Sequence, residues 1–292
     1  MVSPTLRAEK IAGPLGAELR GLDLREALGE SAFAALEQAI LEHHVVVLRD
    51  QPLSDAQHLA LAARFGKISL YPINAALGDE VALETIEDSQ ENRPKADHWH
   101  TDVTWIPEPP KLGILCAQEI PAYGGDTLWA NLHAAYDALS PLMQKRIEGL
   151  SVFHDAGDRF WTGVAVALGA EKTREIRAQV SAGAEHPLVR THPITGRKAL
   201  FVAGYFMQHI VGMHEDESRM LLDFLMTHAT QPRFQCRWRW KPNDLAIWDE
   251  RCTLHLALPD HYPQLRRMRR CTVDGERPYF ASEASTAVGS ST

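Results

Sequence analysis

The stretch Trp99-His100-Thr101-Asp102-Val103-Thr104-Trp105 decides how the rest of the chain is interpreted. Its Val, Thr and Trp residues favour a β-strand. Side chains alternate between the two faces of a strand, so we expect His100 and Asp102 to point the same way. The stretch therefore predicts one imidazole nitrogen and one carboxylate oxygen that face a single metal ion.

A second sequence of the same form, His214-Glu215-Asp216, limits the weight of this motif. With 14 His in the chain, about one such pair is expected by chance. Glu217 follows at once, and then the apolar residues of 220–225 recur at helical spacing. Acidic residues before such a run predict the first turn of a helix, so we expect His214 and Asp216 to be solvated.

The best candidate for a third metal ligand is His255, which closes the stretch Trp248-Asp249-Glu250-Arg251-Cys252-Thr253-Leu254-His255. This stretch follows a predicted strand, turn and strand, and a ligand so far along the chain is expected if two strands meet in a barrel. Two His and one carboxylate on one face of a metal leave open positions, which is characteristic of non-haem Fe(II) oxygenases.

A basic cluster lies downstream at Arg266-Arg267-Met268-Arg269-Arg270. On a strand, Arg266 and Arg270 would share one face, and Arg267 and Arg269 the other. Guanidinium groups inside a protein need anions, and arginine is suited to binding a carboxylate or a sulfonate through two hydrogen bonds. The alternative is a solvated basic edge strand that resists aggregation. The residues by themselves leave both interpretations open.

Composition excludes several classes of protein. The chain has 292 residues, is 45% hydrophobic and carries a formal net charge of −8, so we expect no general binding to nucleic acid. No apolar run approaches the roughly 18 residues that a membrane span needs, and the N-terminal residues lack a signal-peptide pattern. The cysteines are dispersed without a C-x-x-C motif, which favours reduced thiols in a cytoplasmic protein. They are Cys116, Cys236, Cys252 and Cys271.

Many short predicted strands, separated by turn signals and joined by a few helices, indicate a mainly β fold with peripheral helices around a double-sheet core. We expect one domain over residues 1–280 and a disordered tail at 281–292. Two segments, at about 87–97 and 156–185, are predicted to be excursions from the sheets that act as lids or pocket walls.

Five stretches together resemble one protein family. They are Trp99–Thr104, Gly124–Trp129, His186–Pro193, Ile247–Asp249 with Arg251 and His255, and Arg266–Arg270. In these stretches the chain resembles the taurine dioxygenase/TfdA-like Fe(II)- and 2-oxoglutarate-dependent dioxygenases, and the similarity extends from about Gly16 to Tyr279. The resemblance implies a distorted double-stranded β-helix, a jelly roll of the cupin kind.

The resemblance also implies roles for individual residues. It implies that three residues hold Fe(II), namely His100, Asp102 and His255. Thr127 matches the family threonine that hydrogen-bonds 2-oxoglutarate, and Arg266 matches the arginine that pairs with the distal carboxylate of this cosubstrate. Arg270 matches a second arginine, which binds the acidic group of the primary substrate. The implied reaction is hydroxylation by O2 with release of succinate and CO2, and it is favoured over halogenation because Asp102 is retained.

The departures from the family pattern bear on the substrate. Tyr71, Asn74 and Ala96 stand where taurine-specific members carry a His, a Tyr and an Asn, and Trp105 replaces a Phe. We therefore do not expect taurine itself, but a bulkier small organic anion: a sulfonate, an alkyl sulfate or an aryl- or aryloxyalkanoate. The residues predicted to bind it are Tyr71, Asn74, Val103, Trp105, Phe206 and Arg270.

Two other functions remain open on the residues alone. The same triad could serve a metal-dependent hydrolase, for which Glu250 is the obvious general base near a metal-bound water. The chain could also be a non-catalytic jelly-roll binding module, although the retained ligands speak against it. By analogy with the family, we expect a homo-oligomer, either a dimer or a tetramer.

Overall fold

The protein is described here from a computed structural model, in which the described residues are 6–80, 82–94, 97–180 and 182–282. Several predictions fall partly or wholly outside these ranges: residues 1–5 and 81 of the predicted domain, residues 95–96 and 181 of the two predicted lid segments, Ala96, and the tail from residue 283 onward. The strands are β1 Arg7–Lys10, β2 Ala17–Arg20, β3 Val45–Leu48, β4 Glu84–Asp88, β5 Leu112–Glu119, β6 Thr127–Asn131, β7 Ser151–His154, β8 Ala184–Pro187, β9 Val189–Thr191, β10 Lys198–Leu200, β11 Met207–Ile210, β12 Gln235–Trp238, β13 Leu245–Asp249, β14 Thr253–Ala257 and β15 Arg266–Val273.

Seven of these strands form the main sheet, in the order β1-β2-β3-β13-β5-β15-β4. All neighbours are antiparallel except β2 and β3, which run parallel. A second sheet has the order β12-β6-β14, and a third has the order β11-β7-β8. Strands β9 and β10 form a hairpin, as the turn signal between them predicts.

The main sheet separates two apolar layers because its side chains alternate. In β3 and β13, Val46 and Ile247 pack on one side against the helices that cover the sheet. Val47 and Trp248 point to the other side, where they pack against Trp129 of the second sheet. Burial of a large apolar side chain contributes about 1.5–3 kcal/mol to the stability of the fold, so packing stabilises both faces of the main sheet. This double-sheet core confirms the predicted mainly β fold with peripheral helices.

The helices lie around these sheets. They are α1 Glu30–His43, α2 Asp55–Phe65, α3 Pro72–Ala76, α4 Leu132–Asp137, α5 Pro141–Ile147, α6 Gly157–Leu168, α7 Ala170–Gln179 and α8 Glu215–Ala229, with short 3-10 turns at Gly204–Phe206 and Pro232–Phe234. Helix α2 begins with a capping box, in which Ser54 and Gln57 exchange side-chain to backbone hydrogen bonds. No helix in the described ranges has the length and apolar character needed to cross a membrane.

The two facing sheets bring the candidate residues together. Thr127 begins β6 and His255 lies in β14, so both belong to the second sheet. Arg266 and Arg270 lie on β15 of the main sheet, opposite them. Both arginines line the cavity between the sheets, whereas Arg267 pairs with Glu119 at the surface. The face assignment made from the alternation of β15 therefore holds, and the alternative of a fully solvated basic strand is wrong for this face.

Candidate active site

His100 and Asp102 do not lie in a strand, so the predicted strand over 99–105 is wrong. His100 makes one reciprocal pair of backbone hydrogen bonds with His255, at 3.0 and 2.8 Å, and the chain then turns. Asp102 begins this turn, and Val103 has a φ of +51°, a left-handed conformation that β-branched residues rarely adopt. The turn, rather than strand alternation, directs the Asp102 carboxylate to the side of the two imidazoles.

Side chains supply the hydrogen bonds that a strand ladder would have made. The Thr101 hydroxyl donates to the backbone carbonyl of Thr253 at 3.0 Å. The backbone N–H of Asp102 donates to Glu250 Oε2 at 3.2 Å. Local side-chain partners of this kind compete with regular secondary structure. The β-propensity of the stretch is overridden because both partners come from a distant segment that the sequence pattern did not pair with it.

The three predicted ligands converge. Nε2 of His100 lies 3.6 Å from Asp102 Oδ1, and Nε2 of His255 lies 3.8 Å from the same oxygen. The two imidazole rings are 4.2 Å apart between centroids. All three residues are buried, and their donor atoms lie within 4.8 Å of one another. Two nitrogens and one oxygen therefore face one common point inside the protein.

The protonation of these groups suits a metal ion. Nδ1 of His100 lies 2.8 Å from the carbonyl oxygen of His98, which can only accept, so Nδ1 donates there and Nε2 is the ring nitrogen that faces Asp102. Burial, reinforced by the nearby His100, lowers the pKa of His255 well below 6.5, so its ring is neutral. Burial alone would raise the pKa of Asp102, but Arg270 and both histidines lower it. Neutral imidazoles and an ionised carboxylate are the donors that Fe(II) takes in a facial triad.

Glu250 is a fully buried carboxyl group beside the triad. Its Oε1 accepts a hydrogen bond from the indole N–H of Trp248 at 2.7 Å, while Oε2 accepts the Asp102 backbone N–H. Oε2 also lies 4.0 Å from Nδ1 of His255. Burial and the charge of Asp102 raise the pKa of Glu250 well above 4.5. The sequence indicated Glu250 as a candidate base, and the structure shows that it holds the Asp102 turn in place.

Thr127 and Arg266 are the two residues predicted to bind the cosubstrate. They line the same cavity of about 390 Å³ as the triad. The Thr127 hydroxyl oxygen accepts a hydrogen bond from the indole N–H of Trp240 at 2.9 Å. The hydroxyl proton of Thr127 therefore points away from Trp240. Arg266 is 3% exposed, and its Nε donates to the carbonyl oxygen of Gly125 at 3.1 Å. The guanidinium is thus fixed inside the cavity, with Asp88 at 3.7 Å as its charge partner.

Arg270 has two carboxylate partners within the protein. Its Nη1 lies 3.0 Å from Oδ2 of Asp102, and its Nη2 lies 2.8 Å from Oε2 of Glu84. Burial lowers the pKa of Arg270, but the charges of Asp102 and Glu84 raise it by more. The sequence pattern did not indicate Glu84. An anionic substrate that used Arg270 would have to share its guanidinium with this carboxylate.

The remaining predicted substrate residues divide into two groups. Tyr71, Val103, Trp105 and Phe206 line the cavity with the triad. Asn74 is not among the lining residues; it lies on α3, where its backbone carbonyl accepts from Leu77. The structure therefore does not bring Asn74 together with the others. The wall also includes His98, Phe160 and Tyr205.

Both predicted lid segments contribute to the cavity wall. Glu87, Asn92 and Arg93 line it from the first segment, of which residues 95 and 96 lie outside the described ranges. The second segment folds mainly into α6 and α7, and Phe160 of α6 lies 6.0 Å from Trp105 between ring centroids. Movement of either segment stays a prediction.

The second H-x-D sequence lies at the start of helix α8, as predicted. His214 precedes the first helical residue, and its backbone N–H donates to Glu217 at 3.3 Å. Asp216 is exposed and pairs with Arg219 one turn later. This pair therefore makes a matched control for the buried one.

The family model that matches this chain is described as "Taurine catabolism dioxygenase TauD, TfdA family" and covers residues 7–272. Among characterised relatives, the chain is 35% identical to an alkylsulfatase from Acinetobacter baylyi over 93% of this chain and 86% of the relative. It is 34% identical to an alpha-ketoglutarate-dependent sulfate ester dioxygenase from Pseudomonas putida, with coverages of 94% and 91%. It is 35% identical to an alpha-ketoglutarate-dependent 2,4-dichlorophenoxyacetate dioxygenase from Cupriavidus pinatubonensis, with coverages of 90% and 96%.

Solved structures show the same fold over the same length. A taurine dioxygenase from Burkholderia xenovorans superposes with a TM-score of 0.78 at 33% identity, covering 98% of this chain and all of that one. AAD-2 in complex with Mn(II) and N-oxalylglycine superposes with a TM-score of 0.77 at 30% identity, covering 95% of this chain and all of that one. The chain belongs to the TauD, TfdA family and is a 2-oxoglutarate-dependent dioxygenase that uses Fe(II).

Proposed function

We propose that this enzyme hydroxylates a C–H bond of a small organic anion and releases succinate and CO2. The observation that carries the proposal is the shared cavity: the triad, Thr127 and Arg266 line one space between the two sheets. The ion would be held by Nε2 of His100, Nε2 of His255 and the Asp102 carboxylate. Thr127 and Arg266 would bind the cosubstrate. When bound, Fe(II) with 2-oxoglutarate and O2 supplies the oxidant for the C–H bond.

The protein itself positions the reactants and excludes water. Glu250 accepts the backbone N–H of Asp102, and the backbone carbonyl of His98 accepts from the His100 ring. These hydrogen bonds keep Asp102 and His100 in the orientation that a metal ion needs. Trp105 and Phe206 are nearly buried and close the substrate side of the cavity with apolar surface. Correct placement of a reacting carbon can supply several kcal/mol of barrier lowering, so these residues matter as much as the ligands.

We propose an alkyl sulfate or an aryloxyalkanoate as the substrate class, with a bulky sulfonate as a further member. The aromatic wall and the positive charge of Arg270 support this choice, since each of these compounds joins an apolar body to one anionic group. Relatives at 34–35% identity act on a sulfate ester and on 2,4-dichlorophenoxyacetate, according to their names. Hydroxylation beside the ether or ester oxygen would give an unstable product that splits into a carbonyl compound and the leaving group.

The hydrolase alternative needs Glu250 as a free general base. Both oxygens of Glu250 instead accept hydrogen bonds from the protein, from Trp248 and from the Asp102 backbone. A binding module without catalysis would not need a buried arginine and threonine aligned with a triad. Neither alternative gains support from the geometry.

The test is succinate formation from 2-oxoglutarate in the presence of Fe(II), O2 and a panel of alkyl sulfates, aryloxyalkanoates and sulfonates. At least one class should raise succinate release well above the substrate-free background, with hydroxylation or cleavage product in equal amount. Asp102→Ala should abolish this activity, whereas Asp216→Ala, which removes the carboxylate of the exposed H-x-D pair, should retain it. Full activity in Asp102→Ala, or equal succinate release with and without every substrate, would contradict the proposal.

The expected homo-oligomer, either a dimer or a tetramer, stays a prediction that light scattering of the purified protein can test. The cytoplasmic location also stays a prediction.

A further inference from the structure

A second group of metal-binding side chains lies away from the triad, around the turn between β13 and β14. A ring nitrogen of His44, a ring nitrogen of His133 and Sγ of Cys252 lie within 4.8 Å of one another. Their exposures are 5%, 1% and 0%. His44 follows the last residue of α1, His133 lies in α4, and Cys252 lies in the turn. Three segments that are distant in sequence thus direct these donors into one buried place.

His133 has the arrangement of a metal ligand. Its Nδ1 lies 2.8 Å from the backbone carbonyl oxygen of Lys198, so Nδ1 carries the proton. The lone pair is therefore on Nε2, which is buried and has no hydrogen-bond partner among the described residues. A buried acceptor without a partner costs about 1–3 kcal/mol, and histidine ligands commonly donate their other N–H to a carbonyl in this way. The unpartnered nitrogen is thus a reason to look for a ligand.

The other polar groups nearby already have partners, so they define the donor set by exclusion. Oδ1 of Asp249 accepts from the backbone and Nε of Arg251, and Oδ2 accepts from Nη2 of Arg251. Nε2 of His192 lies 3.0 Å from Asp249 Oδ2, and its Nδ1 accepts the N–H groups of residues 194 and 195. Sγ of Cys252 makes only a weak hydrogen bond, as donor to the backbone oxygen of Asp249 at 3.8 Å, so the candidate donors are two ring nitrogens and this sulfur. The nearby carboxylate of Asp249 is paired with Arg251, and the charge of Arg197, which acts on both histidines, is paired with Asp137.

The two imidazoles are available at neutral pH. Burial lowers the pKa of His44 to about 4 and that of His133 to about 3. Burial raises the pKa of Cys252 well above 9, so without a metal its thiol keeps the proton. A bound divalent ion would form a bond to sulfur, and the thiol proton would be released to solvent.

We propose that His44, His133 and Cys252 form a second metal site, specific for Zn(II). A set of two nitrogens and one thiolate is softer than the two nitrogens and one carboxylate of the triad, and it favours zinc over Fe(II) or Mg(II). Zinc bonds of about 2.0–2.3 Å require these donors to close in by roughly 1 Å, and a water molecule would complete a tetrahedron. The ion would join α1 and α4 to the turn that precedes the triad ligand His255. The site is independent of the dioxygenase reaction.

The probe is Co(II), because a cobalt–thiolate bond gives a near-ultraviolet charge-transfer band that nitrogen and oxygen ligands do not give. We would produce full-length protein carrying Asp102→Ala in cobalt-supplemented, zinc-depleted medium, so that metal can enter during folding and the triad is disabled. This protein should contain about one cobalt per chain and show the thiolate band, and Zn(II) should displace both. The same chain produced in zinc medium should contain about one zinc and should melt at a higher temperature than metal-depleted protein.

The matched variants are Cys252→Ser and Cys116→Ser, each introduced in the Asp102→Ala chain. Both cysteines are buried, but Cys116 lies on β5 within the apolar layer under the helices. Cys252→Ser should lose the band and the bound metal, and Cys116→Ser should retain both. Absence of the thiolate band in the Asp102→Ala chain, which needs no change to the cluster, would overturn the proposal. Retention of the band in Cys252→Ser would overturn it as well.

Discussion

Glu84 shares Arg270 with any anion that enters the cavity, and Glu84→Gln should therefore tighten the binding of anionic substrates. Nε and Nη2 of Arg270 both lie within 3.1 Å of Oε2 of Glu84. A substrate sulfate or carboxylate bound to the same guanidinium would lie about 5 Å from this carboxylate, where repulsion at an effective dielectric of about 20 is about 3 kcal/mol.

Solvent reduces this repulsion, because the side chains of Arg270 and Glu84 are 17% and 22% exposed. Halving the figure for screening leaves about 1.5 kcal/mol, and about 1.4 kcal/mol corresponds to a factor of ten in affinity. Glu84→Gln keeps the shape of the side chain and removes its charge. We expect the KM for an alkyl sulfate or aryloxyalkanoate to fall about tenfold.

The assay is initial-rate succinate formation at saturating 2-oxoglutarate and varied substrate. Glu87→Gln is the matched control, since Glu87 lies on the same strand, lines the same cavity and pairs instead with Arg267 at 2.9 Å. It should change the substrate KM by less than about twofold, and the KM for 2-oxoglutarate should stay constant in both variants. The reasoning is refuted if the substrate KM in Glu84→Gln is unchanged or rises, or if it falls equally for an uncharged analogue.

Three further predictions, the first with a matched control variant, test how the fold supports the site. A Cβ at Gly204 would lie 2.1 Å from the backbone oxygen of Trp99, beside the first metal ligand, so Gly204→Ala should weaken Fe(II) binding at least tenfold by equilibrium titration. Gly212→Ala has the same sign of φ and open space around it, and should cost only about 1 kcal/mol of stability, with iron binding intact. Asp249→Asn should lower the free energy of unfolding by about 3–5 kcal/mol in denaturant titrations, because its buried arginine and histidine partners lose their anion. Burial raises the pKa of Asp249, but its arginine partner lowers it by more, to below 3.8 overall. The stabilisation that ionised Asp249 contributes is therefore complete above about pH 4 and is lost only as the pH falls further. An Asp249→Asn penalty that grew with rising pH above 5 would contradict this. Phe160→Ala should enlarge the cavity and shift kcat/KM toward longer or bulkier substrates, and an unchanged ranking across a chain-length series would show that α6 does not limit substrate size.

The candidate metal ligands were predictable from the sequence, although the strand geometry given for them was wrong. The residue types and their order along the chain identified His100, Asp102 and His255, and the structure brings their donor atoms within 4.8 Å. Strand alternation was the stated reason, but Asp102 lies in a turn. Local β-propensity could not indicate this turn, because its stabilising partners, Thr253 and Glu250, lie about 150 residues further along the chain.

The substrate side of the cavity was less predictable for a related reason. The alternation of side chains along a strand predicted the face on which Arg270 lies, but its pairing with Glu84 depends on the register between β15 and β4. Asn74 matched a substrate position by resemblance, yet α3 does not carry it to the cavity wall. Sequence similarity transfers a residue's position in the chain, whereas lining a cavity depends on the direction of a side chain within a packed element.

The sequence by itself determined the mainly β architecture, the candidate triad and the exposed helix start at His214, because these depend on periodicity and residue type. Resemblance to the family, rather than any pattern in the residues, indicated Thr127 and Arg266 as the cosubstrate pair. Only the tertiary structure decided that, between Trp99 and Trp105, His100 makes one pair of backbone hydrogen bonds with His255 and the chain then turns. It alone showed that Glu250 holds this turn and that Glu84 pairs with Arg270 beside Asp102. These features depend on hydrogen bonds and charges between segments distant in the chain, and such contacts exist only once the two sheets have packed face to face.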